Sequence, residues 1–509
     1  MRKIGRRLCL PIVLILGIAC SPSGRRRDML IIGVGGSLNL GNHNPVMIQR
    51  NANVWESLTE LDDFFIARPS LAESWRVSPD GKTWTFRLRK GVLFHDGTVL
   101  TAAAAVWNVQ RMKNHPEFDY YGTFLHLISA DALDETAFRL VFSRPVVDLP
   151  NRIGHYFAGI FSPSAFDETG KIIKPVASGP YVFKESRIGR YDRVSAFDGY
   201  HGRKPYFHAV EFRIIPDPIV RVMSLLRGDI DMIAHHGGVP ASLKDLLEGR
   251  PDIVVRSQDV AITHYLLFNC AREPFSVKAL RTAFAGRIDR EELVNLILRG
   301  GGIPAHDFFI GRAMRWDKHR FPIKAENMNF SRTSLKTLKK HRLKFLLNQG
   351  DAQSWGYKHV ADYLADIFSQ MGLTIDIDVR EGGAWSKAVE KGDFDLTLYP
   401  LSMPLGTPEL LIRRLVFSEG MKVRGIGNST HYRSVEIDKL FLEAMNAPDA
   451  KIQERQFNML LDMIRDEVPI IPLSHEKYYY AFRKGLSGVK MDPFLKLDLS
   501  CLYDHGRRP

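Results

Sequence analysis

The sequence has 509 residues, of which 45% are hydrophobic, 10% aromatic and 25% charged. These fractions exclude a disordered or collagen-like chain, and at roughly 150 residues per domain the length suggests two to four domains. The formal net charge of +13 is a modest excess for this length, and no dense Lys/Arg cluster with interleaved aromatic residues occurs. The composition therefore does not point to a nucleic-acid partner.

The N-terminal segment has the pattern of an export signal. Four basic residues precede an apolar run over residues 8–18, and small residues close the run. This pattern predicts a secretory signal peptide over residues 1–19, because the run is too short to span a bilayer. Cys20 follows directly, as in lipoprotein signals, where the cysteine is acylated and becomes the first residue. We therefore expect residues 20–28 to be a lipidated cysteine and a tether to a membrane, with a soluble exported protein as the alternative.

Cysteine usage agrees with export. Cys9 lies within the predicted signal peptide and Cys20 is the predicted anchor, which leaves Cys270 and Cys501. These two residues could form one disulfide in an oxidising compartment, but the sequence alone leaves their pairing open. No CxxC spacing occurs, which disfavours a zinc ribbon or a thioredoxin-like site.

The periodicity of apolar residues indicates a mixed α/β protein. Alternating patterns predict strands at residues 82–89, 138–142 and 210–215. Asp217 and Gly228 are suitable N-terminal and C-terminal caps for a helix between them. Further on, an amphipathic helix from residue 360 to residue 371 is followed by a strand pattern, and such helix-then-strand units are typical of α/β layers.

Motifs of catalysis were sought along the whole chain. The glycine-rich turn at residues 33–36 lacks the third glycine of a dinucleotide-binding loop, and no P-loop, HExxH or GxSxG motif occurs. The paired carboxylates at residues 229–231 and 393–395 lie where a helix leads into a strand, which is typical of turn and cap residues. We therefore predict a protein that is not an enzyme, with no catalytic residues and no resident cofactor.

Several segments carry a resemblance to a known family. The stretch at residues 69–75, followed by SPDGKTWTFRLRKGVLFHDGT at residues 78–98, is similar to the signature region of family 5 extracellular solute-binding proteins. Those proteins are the receptors of peptide/nickel-type ABC importers. The resemblance extends over residues 40–505. Further matching segments occur in the expected order at residues 178–181, 197–207, 266–275, 392–395 and 468–474.

The resemblance implies an α/β, bilobal periplasmic-binding-protein fold (type II, cluster C-like) with an extra domain on the N-terminal lobe. It implies two crossover hinge strands, near residues 265–274 and 472–481. Ligand would bind between the lobes, the hinge would close, and ABC permease subunits would recognise the closed monomer. The implied domains are lobe I (residues 29–56, 179–268 and 478–509), the extra domain (57–178) and lobe II (269–477).

The ligand is harder to predict from the resemblance. Peptide receptors of this family carry a Gly-Trp-x-x-Asp-x-x-Asp-Pro-like segment, whose aspartate captures the peptide's amino group. Residues 398–409 contain no aspartate, Thr407 and Pro408 replace Asp-Pro, and Glu409 is a conceivable substitute. Tyr399 and Arg152 are further candidates for ligand contact. The segments at residues 74–89 and 214–231 resemble the nickel-binding branch more than the dipeptide branch.

Histidines provide a second indication of the ligand. Candidate metal ligands near the expected cleft are His43, His235, His236 and His475. Imidazole suits nickel, although a single histidine is more often structural, and two neighbours on a strand face opposite sides. We therefore predict an exported, periplasmic or cell-surface receptor, with nickel or a nickel chelate as the first ligand hypothesis. An oligopeptide or dipeptide is the second hypothesis, and an exported hydrolase is a remote third.

Overall fold

The computed structural model describes residues 28–38, 52–115, 119, 121–155, 158–235, 237–310, 342–419 and 427–505. The strands in this part of the chain are β1 Met29–Val34, β2 Glu56–Ser57, β3 Thr59–Leu61, β4 Ala67–Pro69, β5 Ala72–Val77, β6 Thr83–Leu88, β7 Leu127–Ala132, β8 Ala137–Phe142, β9 Gly159–Ile160, β10 Tyr181–Arg187, β11 Tyr191–Ala196, β12 Ala209–Ile214, β13 Met232–Ile233, β14 Ile253–Phe268, β15 Gly302–Pro304, β16 Arg342–Asn348, β17 Thr374–Arg380, β18 Leu396–Ser402, β19 Ile470–Arg483, β20 Leu486–Ser487 and β21 Tyr503–Asp504. The α-helices are α1 Ala102–Asn114, α2 Leu149–Arg152, α3 Pro218–Arg227, α4 Lys278–Ala285, α5 Arg290–Glu292, α6 Gln349–Trp355, α7 Tyr357–Ser369, α8 Gly382–Lys391, α9 Glu409–Leu415, α10 Val435–Met445 and α11 Ala450–Glu467.

The alternating segments form strands whose apolar side chains face a core. In β6, Trp84, Phe86 and Leu88 are buried, as the period of two predicts. Strands β8 and β12 likewise lie within one residue of their predicted bounds. The strand predictions at these three places are confirmed.

The extra domain is built around an antiparallel sheet with strand order β5-β6-β8-β7. Helix α1 packs against β7 and β8, and its N-cap Thr101 accepts a hydrogen bond from the backbone N–H of Ala104. On the buried face, the rings of Phe86 and Phe138 stack with centroids 5.2 Å apart. Trp84 stacks on Phe86 at 6.1 Å, so the core of this domain is dominated by aromatic contacts.

The largest sheet in the described part of the chain has 11 strands and runs through both lobes. Its lobe I half has the order β10-β11-β12-β1-β13, and its lobe II half contains β18, β16 and β17. Strands β19 and β14 lie next to each other between these halves and pair antiparallel. They therefore form the two crossovers that the bilobal fold requires.

The helix ends follow the local sequence closely in two places. Asp217 accepts a hydrogen bond from the backbone N–H of Val220 at 2.8 Å, and Gly228 takes a left-handed φ of 78° after α3. Helix α7 ends shortly before Gly372, whose φ is 84°, and β17 follows as predicted. Both helix predictions are confirmed.

One detail differs from the sequence-based expectations, and one that the sequence left open, the pairing of the two remaining cysteines, is decided by the structure. The first crossover strand, β14, covers Ile253–Phe268 and thus lies mostly before the expected residues 265–274. The family motif marks the end of this strand, because the side-chain amide of Asn269 then donates to the carbonyls of Gly392 and Phe394 and turns the chain. Cys270 and Cys501 are both free thiols.

We expect truncation of the aromatic core to unfold the extra domain before the rest. Phe86→Ala should lower the free energy of unfolding by about 3–5 kcal/mol, because a fully buried ring leaves a cavity that its stacked neighbours cannot fill. Urea denaturation followed by tryptophan fluorescence measures this loss. Ile188→Ala is the control, since Ile188 is 95% exposed and its truncation should change stability by less than about 0.5 kcal/mol. Equal effects of the two variants would contradict the prediction.

Candidate functional site

The pairing of the two crossover strands is interrupted at the boundary between the lobes. Asp259 of β14 pairs with Lys477 of β19, and the next pair is Thr263 with His475. Three residues of β14, 260–262, therefore lie opposite a single residue of β19. Within this interruption, the backbone N–H of Ala261 donates to the carbonyl of Pro493 and not to β19. A bulge of this kind bends the strands and ends regular pairing, so the lobes join at a bend rather than across a flat sheet.

Two buried histidines lie beside this bulge. His475 is 4% exposed, and its Nδ1 lies 2.8 Å from the hydroxyl of Thr263. His264 is also buried, and its Nδ1 lies 2.7 Å from the Tyr357 hydroxyl. Burial lowers the pKa of His475 to about 3, with nearby His264 and His306 adding to the effect, and burial lowers the pKa of His264 to about 4. Both rings are therefore neutral at pH 7.

Two carboxyl groups lie in the same neighbourhood. Burial raises the pKa of Glu476 to about 7, although the indole N–H of Trp355 donates to this carboxylate. Burial also raises the pKa of Asp351 to about 6. Both acids act on the Tyr357 phenol, whose pKa is raised well above its ordinary value by burial first and by these charges second. We call His264, Asp351, Trp355, Tyr357 and Glu476 the hinge wall, which thus combines two acids with uncharged aromatic rings.

A buried ion pair connects the extra domain to lobe II. Arg152, at the end of α2, contacts the carboxylate of Glu409, at the start of α9, and both side chains are nearly inaccessible. Arg152 also pairs with Asp148 at 2.8 Å, and Glu409 pairs with Arg413 at 2.8 Å. Burial raises the pKa of Glu409, but the two arginines outweigh it and hold that pKa below its ordinary value. The four residues form one ionised network across the domain boundary.

Other contacts cross the same boundary. The side-chain amide of Asn151 donates to the carbonyl of Leu405 at 3.3 Å. The guanidinium of Arg144 donates to the side-chain oxygen of Asn446, also at 3.3 Å. These contacts therefore add to the ion pair in joining the extra domain to lobe II.

The residues predicted to contact ligand gather around α9. Glu409 is its first residue, Arg152 reaches it from the extra domain, and the Tyr399 hydroxyl accepts a hydrogen bond from Arg414 at 2.7 Å. Thr407 is 2% exposed, and among the described residues its hydroxyl has no hydrogen-bond partner. Sequence reasoning named these positions as separate contacts to a ligand, whereas the structure engages Arg152 and Glu409 with each other.

The predicted metal ligands are dispersed as far as the structure describes them. His235 is fully buried in lobe I, where its Nδ1 lies 3.2 Å from the carbonyl of Leu495. His475 lies at the bulge, and His43 and His236 fall outside the described residues. Within the described ranges, no group of three or more His, Cys, Asp or Glu side chains is arranged to hold a metal ion.

Sequence reasoning missed four residues of the hinge wall, namely His264, Asp351, Trp355 and Tyr357. It also passed over Glu476, which adjoins the predicted His475. The signal that could have drawn attention to it is a run of polar residues, Ser474 to Lys477, within a strand that is apolar on either side, because charged residues are rare in a mostly buried strand.

Comparison with known proteins identifies the family. The family model of bacterial extracellular solute-binding proteins, family 5 (Middle), matches residues 67–422. The chain belongs to the family 5 extracellular solute-binding proteins. It is 26% identical over 440 residues to the probable D,D-dipeptide-binding periplasmic protein DdpA of Escherichia coli K12, covering 84% of this chain and 82% of the relative. It is 25% identical to the glutathione-binding protein GsiB of the same strain, covering 86% of each.

Solved structures agree on the fold. The chain superposes on NikA from Brucella suis in complex with Fe(III)-EDTA with a TM-score of 0.80, covering 94% of this chain and 99% of that one, at 19% identity. At this identity the likeness establishes the bilobal fold alone. The family and fold predicted from the sequence are confirmed, and this family 5 protein is a substrate-binding receptor of ABC importers.

Membership in a family of extracellular proteins with periplasmic relatives implies an exported protein. Among the described residues, no helix combines the length and the apolar character needed to span a membrane.

We expect Arg152→Met to weaken the closed state. The substitution leaves the buried Glu409 carboxylate with the partly exposed Arg413 alone, and losing one partner of a buried pair costs about 3–5 kcal/mol. Urea denaturation measures the stability loss, and small-angle X-ray scattering should show a larger radius of gyration. Arg68→Met is the control, because the ion pair of Arg68 with Asp62 is exposed and worth less than about 1 kcal/mol. A compact Arg152→Met protein with unchanged stability would refute the role of this pair.

The buried His475 should make the protein sensitive to acid. Below about pH 6.5 the unfolded chain binds a proton at this histidine that the folded chain does not bind, so stability is lost as pH falls toward 4. His475→Asn keeps an acceptor for Thr263 and removes this proton uptake. The variant should therefore lose up to about 1.4 kcal/mol less stability per pH unit than the unmodified protein between pH 6 and pH 4. Denaturant unfolding at a series of pH values measures the slope. The exposed His505→Asn should leave the slope unchanged.

Proposed function

We propose that this protein captures a small peptide-class ligand between its lobes and delivers it, unchanged, to an ABC permease. The observation that carries the proposal is the hinge itself. Two long antiparallel strands join the lobes, and their pairing is broken at a bulge where polar and aromatic groups from both sides converge. A bend of this kind permits rigid lobes to open and close around a ligand.

The peptide class is favoured by the named relatives. DdpA, which matches over most of both chains, is described as a probable D,D-dipeptide-binding protein, and GsiB as a glutathione-binding protein. Both of those ligands are small, flexible molecules with amide bonds and charged ends. We therefore rank a dipeptide or a short modified peptide above nickel, which was the first hypothesis from the sequence.

Nickel, alone or as a chelate, is the competing ligand hypothesis. The described residues do not supply a three-ligand metal cluster, and the two histidines at the hinge face a hydroxyl each. Of the other three predicted ligands, His235 is buried in lobe I, and His43 and His236 lie outside the described residues. A nickel site would therefore have to draw on ligands from those residues or on an organic chelator.

The closing motion would be driven by contacts that exist only when the lobes meet. The ion pair between Arg152 and Glu409 provides one such contact without ligand, so closure does not depend on ligand alone. Ligand would shift the equilibrium further toward the closed form, which the permease would recognise. In this proposal the protein binds as a monomer, is exported by its N-terminal signal and is anchored through a lipid on Cys20.

Titration of the purified, metal-stripped protein tests the proposed ligand class. We expect D-Ala-D-Ala or glutathione to bind with 1:1 stoichiometry in isothermal titration calorimetry and to be recovered unchanged. Free L-alanine is the matched control and should bind more weakly, because it lacks the amide and the second residue. Binding of Ni²⁺, or of Ni²⁺ with L-histidine, without any peptide binding would replace the proposal with a nickel receptor. Appearance of cleaved peptide would indicate a hydrolase.

A further inference from the structure

Glu476 lies on β19 at the point where the pairing of the two crossover strands is interrupted. Glu476 pairs with Gly302 of β15. On β19 it lies between Lys477 and His475, the two residues at which pairing with β14 stops and resumes. Burial, with the charge of Glu476 adding to it, raises the pKa of Tyr357 in lobe II and of Tyr478 in lobe I. Glu476 therefore lies near side chains of both lobes.

The hydrogen-bonding capacity of this carboxylate is only partly used. Trp355 donates one hydrogen bond to it, whereas its Oε2 atom is shielded from solvent and has no partner among the described residues. Asp351, the second acid beside Tyr357, also forms no ion pair there. No lysine or arginine of the described ranges lies within ion-pair distance of either carboxylate. A carboxylate oxygen that is buried without a donor is costly, and an ordered water, an ion or a ligand commonly completes one.

Three aromatic rings form a cluster that includes Trp355, the donor to Glu476. The rings of Trp355 and Tyr357 lie 6.0 Å apart, and the His264 ring lies 5.6 Å from each of them. His264 is neutral at pH 7, so it adds no positive charge. A carboxylate beside aromatic rings attracts an organic cation through its charge, and a cation that lies over a ring face is attracted by the ring quadrupole as well.

We propose that Glu476, together with the ring of Trp355, binds a protonated amine of the transported ligand. The donors of an ammonium group would satisfy the free Oε2 atom, and the alkyl part of the amine would contact the indole. This inference refines the proposed function, since a peptide is one source of such an amine and a simple diamine is another. The inference disfavours a ligand that places an anionic group at the hinge wall, because the described residues there include two acids and no cation.

The neutralising substitution Glu476→Gln tests the assignment. It keeps the shape of the side chain and its contact with Trp355 but removes the charge. We expect the affinity for any amine-bearing peptide that binds the unmodified protein to fall at least about 30-fold, the usual loss when one partner of a buried charged contact is removed. The matched control is Glu390→Gln, an exposed glutamate on α8, which should leave affinity unchanged. Calorimetry at pH 8 measures all three proteins.

Ligand chemistry supplies the complementary arm. The N-acetylated form of the same peptide lacks the ammonium group and should bind the unmodified protein as weakly as the parent peptide binds the Glu476→Gln variant. The variant should itself be folded and, without ligand, should melt at a higher temperature at pH 8, because a buried unpaired charge has been removed. Peptide affinity that is unchanged by both the substitution and the acetylation would overturn the inference while leaving the proposed function intact.

A diamine separates the two proposals. If no peptide binds, the proposed function fails, and putrescine is then the probe of the amine site. Putrescine binding that Glu476→Gln abolishes would uphold the inference on its own, whereas absence of binding by peptides and putrescine alike would overturn it. Trp355→Leu should weaken the binding of the amine probe about 3-fold or more by removing the aromatic face.

Discussion

The bilobal structure depends on the antiparallel pairing of β14 with β19. These strands carry the chain between the lobes, and each lobe's half of the large sheet is attached to one of them. Backbone hydrogen bonds hold the strands together on either side of the boundary, so each half stays rigid, while the bulge between Asp259 and Thr263 leaves the boundary itself without regular pairing. A bend in a continuous pair of strands permits rotation of the lobes without breaking either core.

Electrostatics differ sharply between the two places where the domains meet. At α9, the opposite charges of Arg152 and Glu409 are buried together and satisfy each other, which stabilises the contact between the extra domain and lobe II. At the hinge wall, Glu476 and Asp351 lie near neutral rings, no described residue places a cation against them, and burial raises the pKa of both. Arg152 and Glu409 find their charge partners within the chain. Glu476 has an oxygen without a hydrogen-bond partner among the described residues, and for that reason we assign the ligand's amine to it.

Local sequence patterns predicted a large part of the fold. The alternation in β6, the cap Asp217 and the helix that precedes Gly372 each depend on neighbours within a few residues, and the structure has them where they were expected. The first crossover strand was placed too late, because the family motif marks where β14 ends and not where it begins. The candidate site was predicted less completely. Arg152 and Glu409 were each singled out as ligand contacts, but nothing in the sequence indicated that they contact each other across 257 positions.

The amino-acid sequence by itself determined the family, the α/β architecture and the order of the elements, because these depend on motifs and periodicities that are local along the chain. Only the tertiary structure decided which charges are satisfied. The ion pair at α9 and the open oxygen of Glu476 arise from side chains of distant segments that folding brings together, and the energy of a charge depends on its surroundings in space. Two acids that look equivalent in the sequence thus differ in their surroundings: Glu409 is paired with arginine across a domain boundary, whereas Glu476 has a buried oxygen without a partner among the described residues.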